Sequence, residues 1–575
     1  MAPLDRARAF ALTDTDRGGN TGAQAHANLA SRLWRRDVSM WHQPAARAAA
    51  LAARLGWLDS IDWMRERAGE LQAWAGAIAA SGHYRRVILL GMGGSSLAPA
   101  VFASLFAPGP GGLPLTVIDT THPGDLAGRA GRDWRRCLFI VSSKSGATVE
   151  TVDLYHFFRA GLAAQGAEPS PHFVMITDRD SPLHRLAGDC KRVFINPSDI
   201  GGRYSALSYF GLVPAALLGV NIGRLLARAR DFCATTRTDD PRQNPALALG
   251  LLLGRSALAG RDKLILHLPD ALSAFGLWVE QLIAESCGKD GRGLIPVMAD
   301  CGARFGGGRD RISVRVGDGG DSRAGRCDYA VPLQAHDRYQ IGAEFFRWEF
   351  ATAVAASCLR VNPFDQPDVA RAKARTAAFI GETGRAGGPL PHQRGACLDE
   401  YDLVYHGADS GQPGHSARDL VAAFARTLTP ATYLALLAYL PEDPATVEWL
   451  HCLRRQAAGR AGIVATCGIG PRYLHSTGQL HKGGPPSGRF IQLIADPDPG
   501  ADVPVPERAY TFGQLHRAQA DGDFAALVGA GRPVMRVALK ADRLRALAAF
   551  ASAFKSALAA AAGRAQDAGD SDPPA

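Results

Sequence analysis

From Val87 onward the chain alternates short apolar runs with longer stretches of helical period. The runs Val87–Leu90, Leu115–Ile118, Cys137–Val141, Phe173–Thr177 and Val193–Ile195 are continuous rather than alternating in polarity. That is the pattern of strands buried on both faces, and strands alternating with helices predict a parallel sheet wrapped on both sides. A second series follows: Lys263–Leu268, Ile312–Val316 and Tyr329–Leu333, then Tyr433–Leu440, Gly462–Ala465 and Phe490–Ile494. Helices are predicted over Ala271–Glu285, with an amphipathic pattern, and over Gly342–Arg360. Residues 26–80 read as helices rich in Ala, Leu, Trp and Arg. Residues 381–417, rich in Gly, Pro and His, read as a linker or surface excursion. Residues 1–25 are polar and Gly-rich and are expected to be mobile. The expected organisation is an N-terminal helical segment (1–80), one α/β domain (81–225), a second with insertions (226–563) and a disordered tail (564–575).

Composition narrows the class. At 575 residues the chain is too long for one core. Its 47% hydrophobic and 21% charged content fits a globular protein. No unbroken apolar run long enough to span a bilayer is visible, and Met1-Ala-Pro-Leu-Asp-Arg6 carries no signal-peptide core, so a cytoplasmic location and no membrane partner are expected. The net charge is +9, but the arginines are scattered in short pairs such as Arg35-Arg36 and Arg454-Arg455. Scattered charge argues against a nucleic-acid partner, and a modest positive field suits an anionic substrate. The ten cysteines are widely spaced without a Cys-x-x-Cys pair, which indicates neither a zinc site nor a disulfide framework.

Two strand-to-helix turns carry the chemistry. One is Val87-Ile-Leu-Leu-Gly-Met-Gly-Gly-Ser-Ser96, the other Phe139-Ile-Val-Ser-Ser-Lys-Ser-Gly-Ala-Thr-Val-Glu-Thr151. Each passes from an apolar run into small residues and hydroxyls and then into a helix. Such turns aim backbone N–H groups, hydroxyls and a helix N-terminus at an anion. The first is neither a dinucleotide fingerprint nor a P-loop, because Ser96 stands where a third glycine belongs and no Gly-Lys-Ser/Thr follows. Together the turns predict one phosphate held between neighbouring βα units.

The pair resembles the sugar isomerase (SIS) fold. Four further segments narrow the resemblance to phosphoglucose isomerase: Gly201-Gly-Arg-Tyr-Ser205, Gln281-Leu-Ile-Ala-Glu-Ser-Cys-Gly-Lys289, Asn362-Pro-Phe-Asp-Gln-Pro-Asp-Val-Ala-Arg-Ala-Lys373 and Leu474-His-Ser-Thr-Gly-Gln479. The run from His475 to Pro485 is similar to the isomerase half of bacterial transaldolase–isomerase fusions. The implied fold is α/β, with two SIS-like doubly wound parallel-sheet domains and flanking helices. The implied activity is interconversion of glucose 6-phosphate and fructose 6-phosphate through a cis-enediolate, with no metal and no redox cofactor. Two alternatives stand beside it: a non-catalytic SIS-type sugar-phosphate sensor, and an isomerase that also accepts mannose 6-phosphate.

Each step has a candidate residue. Glu285 is the base, four residues after Gln281 and therefore on the same helix face. Arg203 follows two glycines and, being unable to deprotonate, suits stabilisation of an enediolate. Ser143, Lys144, Ser145 and Thr148 surround the second phosphate turn, with Lys144 supplying charge or shape. Ser95 is the hydroxyl of the first turn. The resemblance assigns ring opening to Lys373, preceded by Gln366, and to a histidine. His475 is the first choice and His481 its rival, because the His-Ser-Thr-Gly-Gln segment here follows the lysine motif instead of preceding it. Catalytic roles thus fall on Glu285, Lys373, His475 and Arg203. Substrate-binding roles fall on Ser95, Ser143, Lys144, Ser145, Thr148, Gln281 and Gln366. The resemblance implies a homodimer. The first 80 residues are too few for a transaldolase barrel of about 250 residues, so a separate transaldolase partner stays open.

Overall fold

The computed structural model describes residues 28–131, 133–299, 308–317, 327–334, 336–370, 394–407, 416–496, 500–540 and 542–569. Strands β1 (Arg86–Gly91), β2 (Leu115–Ile118), β3 (Cys137–Ser142), β4 (Phe173–Asp178) and β5 (Arg192–Asn196) form a sheet in the order β2-β1-β3-β4-β5, parallel throughout. Their side chains divide between two cores. Val87, Leu89, Leu138, Ile140, Val174 and Ile176 enter one; Ile88, Leu90, Phe139, Val141, Phe173 and Met175 enter the other. A strand apolar at every position is therefore satisfied on both faces, as the continuous runs predict. The order reverses between β1 and β3, and in such sheets the crevice beyond the strand ends at that point is where ligands bind. Both hydroxyl-rich turns leave from those two strands.

The second half arranges its strands in two sheets. Strands β6 (Lys263–His267), β7 (Ile295–Met298), β8 (Arg311–Val316) and β9 (Tyr329–Val331) form a parallel sheet in the order β7-β6-β8-β9. Strands β10 (Arg394–Cys397), β11 (Tyr401–His406), β12 (Tyr433–Tyr439), β13 (Val464–Ile469), β14 (Gly488–Ala495) and β15 (Val534–Leu539) form another, ordered β10-β11-β15-β14-β12-β13. Its β15-β14-β12-β13 part is parallel, and β10 and β11 add antiparallel strands at one edge. The architecture is the expected α/β one with doubly covered parallel sheets.

Four strands escape the hydrophobic pattern. β7 contains Pro296 and lies at a sheet edge, where a missing N–H is tolerated. β15 carries Arg536 inside its apolar run, and the guanidinium is neutralised by Asp521 at 2.5 Å and bonded to Gln492 at 2.7 Å. β10 and β11 occupy part of 381–417, expected to be a linker. Tyr401, Leu403 and Tyr405 point alternately into the core, the period of an antiparallel strand buried on one face. The helix expected to be amphipathic spans Ser273–Cys287 and is buried on nearly every side from Phe275 onward. The C-terminal helix spans Arg543–Gly569. By length and composition its segment Arg543–Ala561 passes as a membrane span, yet Ala546, Leu547, Phe550 and Phe554 pack into the core beside β11 and β15.

Candidate active site

The site forms where the first sheet's switch point meets the helix Ser273–Cys287. After β1 the chain turns tightly through Gly93 and Gly94. Gly93 has φ +56°, and a Cβ there would stand 2.7 Å from the carbonyl of His475 and 2.8 Å from Nε2 of Gln281. A Cβ on Gly94 would collide with the carbonyl of Gly202. The two glycines thus let the first turn touch three other site segments at once.

Arg203, delivered by a short helical turn at Gly202–Tyr204, is buried. Its Nη1 donates to Oε2 of Glu285 at 2.9 Å. Its Nη2 donates to the Asp365 carbonyl and to Oε1 of Gln366, both at 3.0 Å. Gln281 Nε2 donates to the same Oε2 of Glu285 at 3.3 Å and to the His475 carbonyl at 2.7 Å. Among the described residues Oε1 of Glu285 makes no hydrogen bond. One carboxylate oxygen is therefore fixed by two donors and the other remains open for proton transfer.

His475 is buried, and its Nε2 lies 2.8 Å from Oε1 of Glu150. Gln519 Nε2 donates to that same oxygen at 2.7 Å, while Gln519 Oε1 accepts from Thr121 at 2.9 Å. An ionised Glu150 can only accept, so Nε2 carries the proton and Nδ1 presents a lone pair. A continuous line of polar contacts then runs Arg203–Glu285–Gln281–His475–Glu150–Gln519. The short turn bearing His475 is clamped by its neighbour Arg472, which bonds Asp119 at 2.7 Å and Glu442 at 2.6 Å.

The second hydroxyl-rich turn is Ser143–Thr148. Ser143 Oγ donates to Thr148 Oγ1 at 3.1 Å and accepts from the Gly146 N–H at 3.2 Å. Thr148 is the N-cap of the helix Val149–Ala164, but its side chain does not cap it. A helix start without its side-chain cap leaves N–H groups and dipole available to an anion. Ser145 is exposed. Lys144 is turned to the loop instead: its ammonium pairs with Asp178 and donates to the Ser198 carbonyl at 2.9 Å. Of the two roles expected for Lys144, shape rather than free charge fits this geometry. Ser95 is buried in the first turn, where its carbonyl accepts from Ser142 Oγ at 3.1 Å.

Three sequence expectations fare differently. Lys373 lies outside the described residues. Gln366 is exposed and holds Arg203. His481 is buried against Phe490, Tyr473 and Tyr433, and burial pushes its imidazole well below the ordinary histidine range. Among the described residues its Nδ1 has no hydrogen-bond partner. That is the environment of a core residue. Sequence reasoning missed Glu150, Gln519 and Lys289. Glu150 sits in the second turn's own motif, two residues after Thr148, and its position at the helix start was a usable signal. Gln519, inside an unremarkable helix, offered none. Lys289 ends the Glu285 motif; it is buried and bonds the Asp365 carbonyl at 2.6 Å and Oδ1 at 2.8 Å, which fixes the segment that holds Arg203.

Residues 58–294 match the family model "Phosphoglucose isomerase". That span includes Ser95, Ser143, Lys144, Ser145, Thr148, Arg203, Gln281 and Glu285, and it leaves out Gln366, Lys373 and His475. The chain is 34% identical over 209 residues to a glucose-6-phosphate isomerase from Rippkaea orientalis, covering 36% of this chain and 40% of that one. It is 32% identical over 296 residues to a glucose-6-phosphate isomerase from Thermosynechococcus vestitus, covering 49% and 54%. The chain thus spans about half, or less, of the length of these curated relatives. Among solved structures, a glucose-6-phosphate isomerase from Chlamydia trachomatis is similar with a TM-score of 0.48 and 20% identity, covering 66% of this chain and 84% of that one.

Proposed function

We propose that this chain is a sugar-phosphate aldose–ketose isomerase that interconverts glucose 6-phosphate and fructose 6-phosphate. The observation that carries the proposal is the Glu285 carboxylate, held through one oxygen by Arg203 and Gln281 with its other oxygen open. A proton shuttle between C1 and C2 needs one such base and one permanent cation beside it.

The phosphate sits at the Ser143–Thr148 turn, bound by the Ser145 and Thr148 hydroxyls and the start of the helix Val149–Ala164. Ring opening breaks the C1–O5 bond: O5 gains a proton and the C1 hydroxyl loses one. His475 is the proton-transfer group there, its ring oriented by Glu150. Lys373 shares that step by resemblance. Glu285 then takes the C2 proton, and the electron pair moves toward O1 to give the enediolate. Arg203 cannot give up its proton, so it balances that charge without competing for it. The same carboxyl returns the proton to C1 as the hydroxyl proton of O2 passes to O1, leaving a ketone at C2.

The sensor alternative needs the phosphate turns but not the Arg203–Glu285–His475 group, and the presence of that group favours an enzyme. The test is product analysis by NMR after incubating the purified chain with fructose 6-phosphate, and separately with mannose 6-phosphate. Glucose 6-phosphate from the first supports the proposal. Tight binding without any product supports the sensor.

A further inference from the structure

The helix Ser273–Cys287 presents a second face that the proposed reaction does not use. Gln281 and Glu285 face the sugar-phosphate site, whereas Ser273, Leu277 and Glu280 line a separate cavity of about 460 Å³. A volume of that size lies within the range of small-molecule sites. Its walls are largely apolar, with Leu277, Met298, Leu450 and Tyr473 among them. Into this cavity projects Glu280, only 6% exposed. Among the described residues its carboxyl makes no hydrogen bond and no ion pair. Burial pushes it up to about 8, only partly offset by the charge of Arg454. That shift favours the un-ionised acid near neutral pH, with an O–H donor and a carbonyl acceptor that no described residue engages. A buried polar group without a partner is costly, and such groups in native proteins call for an explanation.

We infer that this cavity is a second binding site, and that its ligand is a flat, largely apolar nitrogen heterocycle with an amino group beside a ring nitrogen. The chemistry selects that class. A carboxylic acid presents donor and acceptor side by side in one plane, and an aminated ring edge presents acceptor and donor in the complementary order. The apolar walls accept the ring faces. An anionic ligand is a poorer match: of the three arginines around the cavity, Arg472 already holds Asp119 and Glu442, Arg455 holds Glu448, and Arg454 donates to the Met298 carbonyl at 3.1 Å and already faces the Glu280 carboxyl. The opposite wall includes Tyr473 and Ser476, which flank His475 in sequence. An occupant therefore touches the segment that carries His475 without entering the sugar-phosphate site.

The test is titration calorimetry on the full chain with 2-aminoquinoline as probe and 2-methylquinoline as a control of the same shape without the amino donor. The expected result is saturable binding of 2-aminoquinoline, undiminished by saturating fructose 6-phosphate. 2-Methylquinoline should bind about tenfold more weakly or worse, as should 2-aminoquinoline to Glu280→Met, the loss that goes with a paired hydrogen bond. Leu277→Trp, which fills the cavity, should abolish binding. Thermal unfolding confirms that both variants fold, and if Glu280→Met fails, Leu277→Trp and the methyl control decide. No saturable binding by the folded wild type overturns the inference. So does binding that survives Leu277→Trp, or displacement of the probe by fructose 6-phosphate. All arms but the competition read binding alone, so their outcome stands whether or not the chain proves to be an isomerase.

Discussion

Arg203 and Glu285, 82 residues apart in the chain, meet in a buried ion pair at 2.9 Å. The pair joins the segment after the first sheet to the central helix of the second half. It also uses a single carboxylate oxygen. Desolvating two charges is expensive, and a buried pair of this kind adds little net stability against an apolar pair. Its persistence at the meeting point of five site segments fits function better than stability.

Removing one partner should therefore hurt more than removing both. Arg203→Met leaves the Glu285 carboxylate buried beside Gln281 alone and should cost about 3–5 kcal/mol of stability. The double change Arg203→Met with Glu285→Leu should recover much of that loss while leaving no turnover. Denaturant unfolding of the three chains checks this. A double variant less stable than Arg203→Met would mean that the pair is a structural anchor.

Glu150 positions His475 and does not itself touch the substrate in this account. Glu150→Gln keeps the shape but replaces an acceptor-only carboxylate with an uncharged amide that can also donate, so the partner no longer fixes which imidazole nitrogen carries the proton. kcat should fall by about 10- to 100-fold, the usual scale for an orienting partner, with KM for fructose 6-phosphate nearly unchanged. A pure KM effect would place Glu150 in binding.

The phosphate turn should show the opposite division. Ser145→Ala with Thr148→Ala removes contacts made equally in ground and transition states, so KM should rise more than kcat falls. An unchanged KM would put the phosphate elsewhere.

His475 and His481 separate by site and by pH. His475→Ala should slow turnover of the cyclic substrate far more than exchange of the C2 proton in an open-chain substrate, for which Glu285 remains in place. His481 acts on stability. Burial lowers its folded value well below the ordinary 6.5, so the unfolded chain binds a proton that the native one refuses. Its contribution is complete above that ordinary value and is lost as pH falls below it. His481→Phe should flatten the acid side of the stability curve, measured by unfolding at several pH values. A selective ring-opening defect in His481→Ala would exchange the two assignments.

The first sheet was readable because its inner strands β1, β3 and β4 are apolar at consecutive positions, and β1 and β3 lead into turns rich in glycine and hydroxyls. Glu285, Arg203 and the second hydroxyl-rich turn could be picked out for a related reason: each lies in a local motif dense in glycine, hydroxyl or charge, and the fold brings Arg203 and Glu285 together. β15 was not, because Arg536 breaks its apolar run, and its partners Asp521 and Gln492, both in other elements, make that tolerable. Glu150, Gln519 and Lys289 act through partners 325, 398 and 76 positions away; the first lies in a recognisable motif at a helix start, but no local pattern shows which partner each one meets. His475 and His481 lie six residues apart, one in the turn Arg472–His475 and the other in the helix Gly478–Gly483, and only the geometry shows that the first meets Glu150 while the second packs among aromatic rings.

The central claim is that Glu285 moves a proton between C1 and C2 of a sugar phosphate. The most direct measurement is the rate of glucose 6-phosphate formation from fructose 6-phosphate by the purified chain, with Glu285→Gln assayed alongside and substrate binding measured for both. The account predicts turnover by the wild type, and for Glu285→Gln a loss of about 10²–10⁴-fold with binding retained. A folded wild type that binds fructose 6-phosphate and forms no product, or a Glu285→Gln chain within a few-fold of wild type, would contradict it.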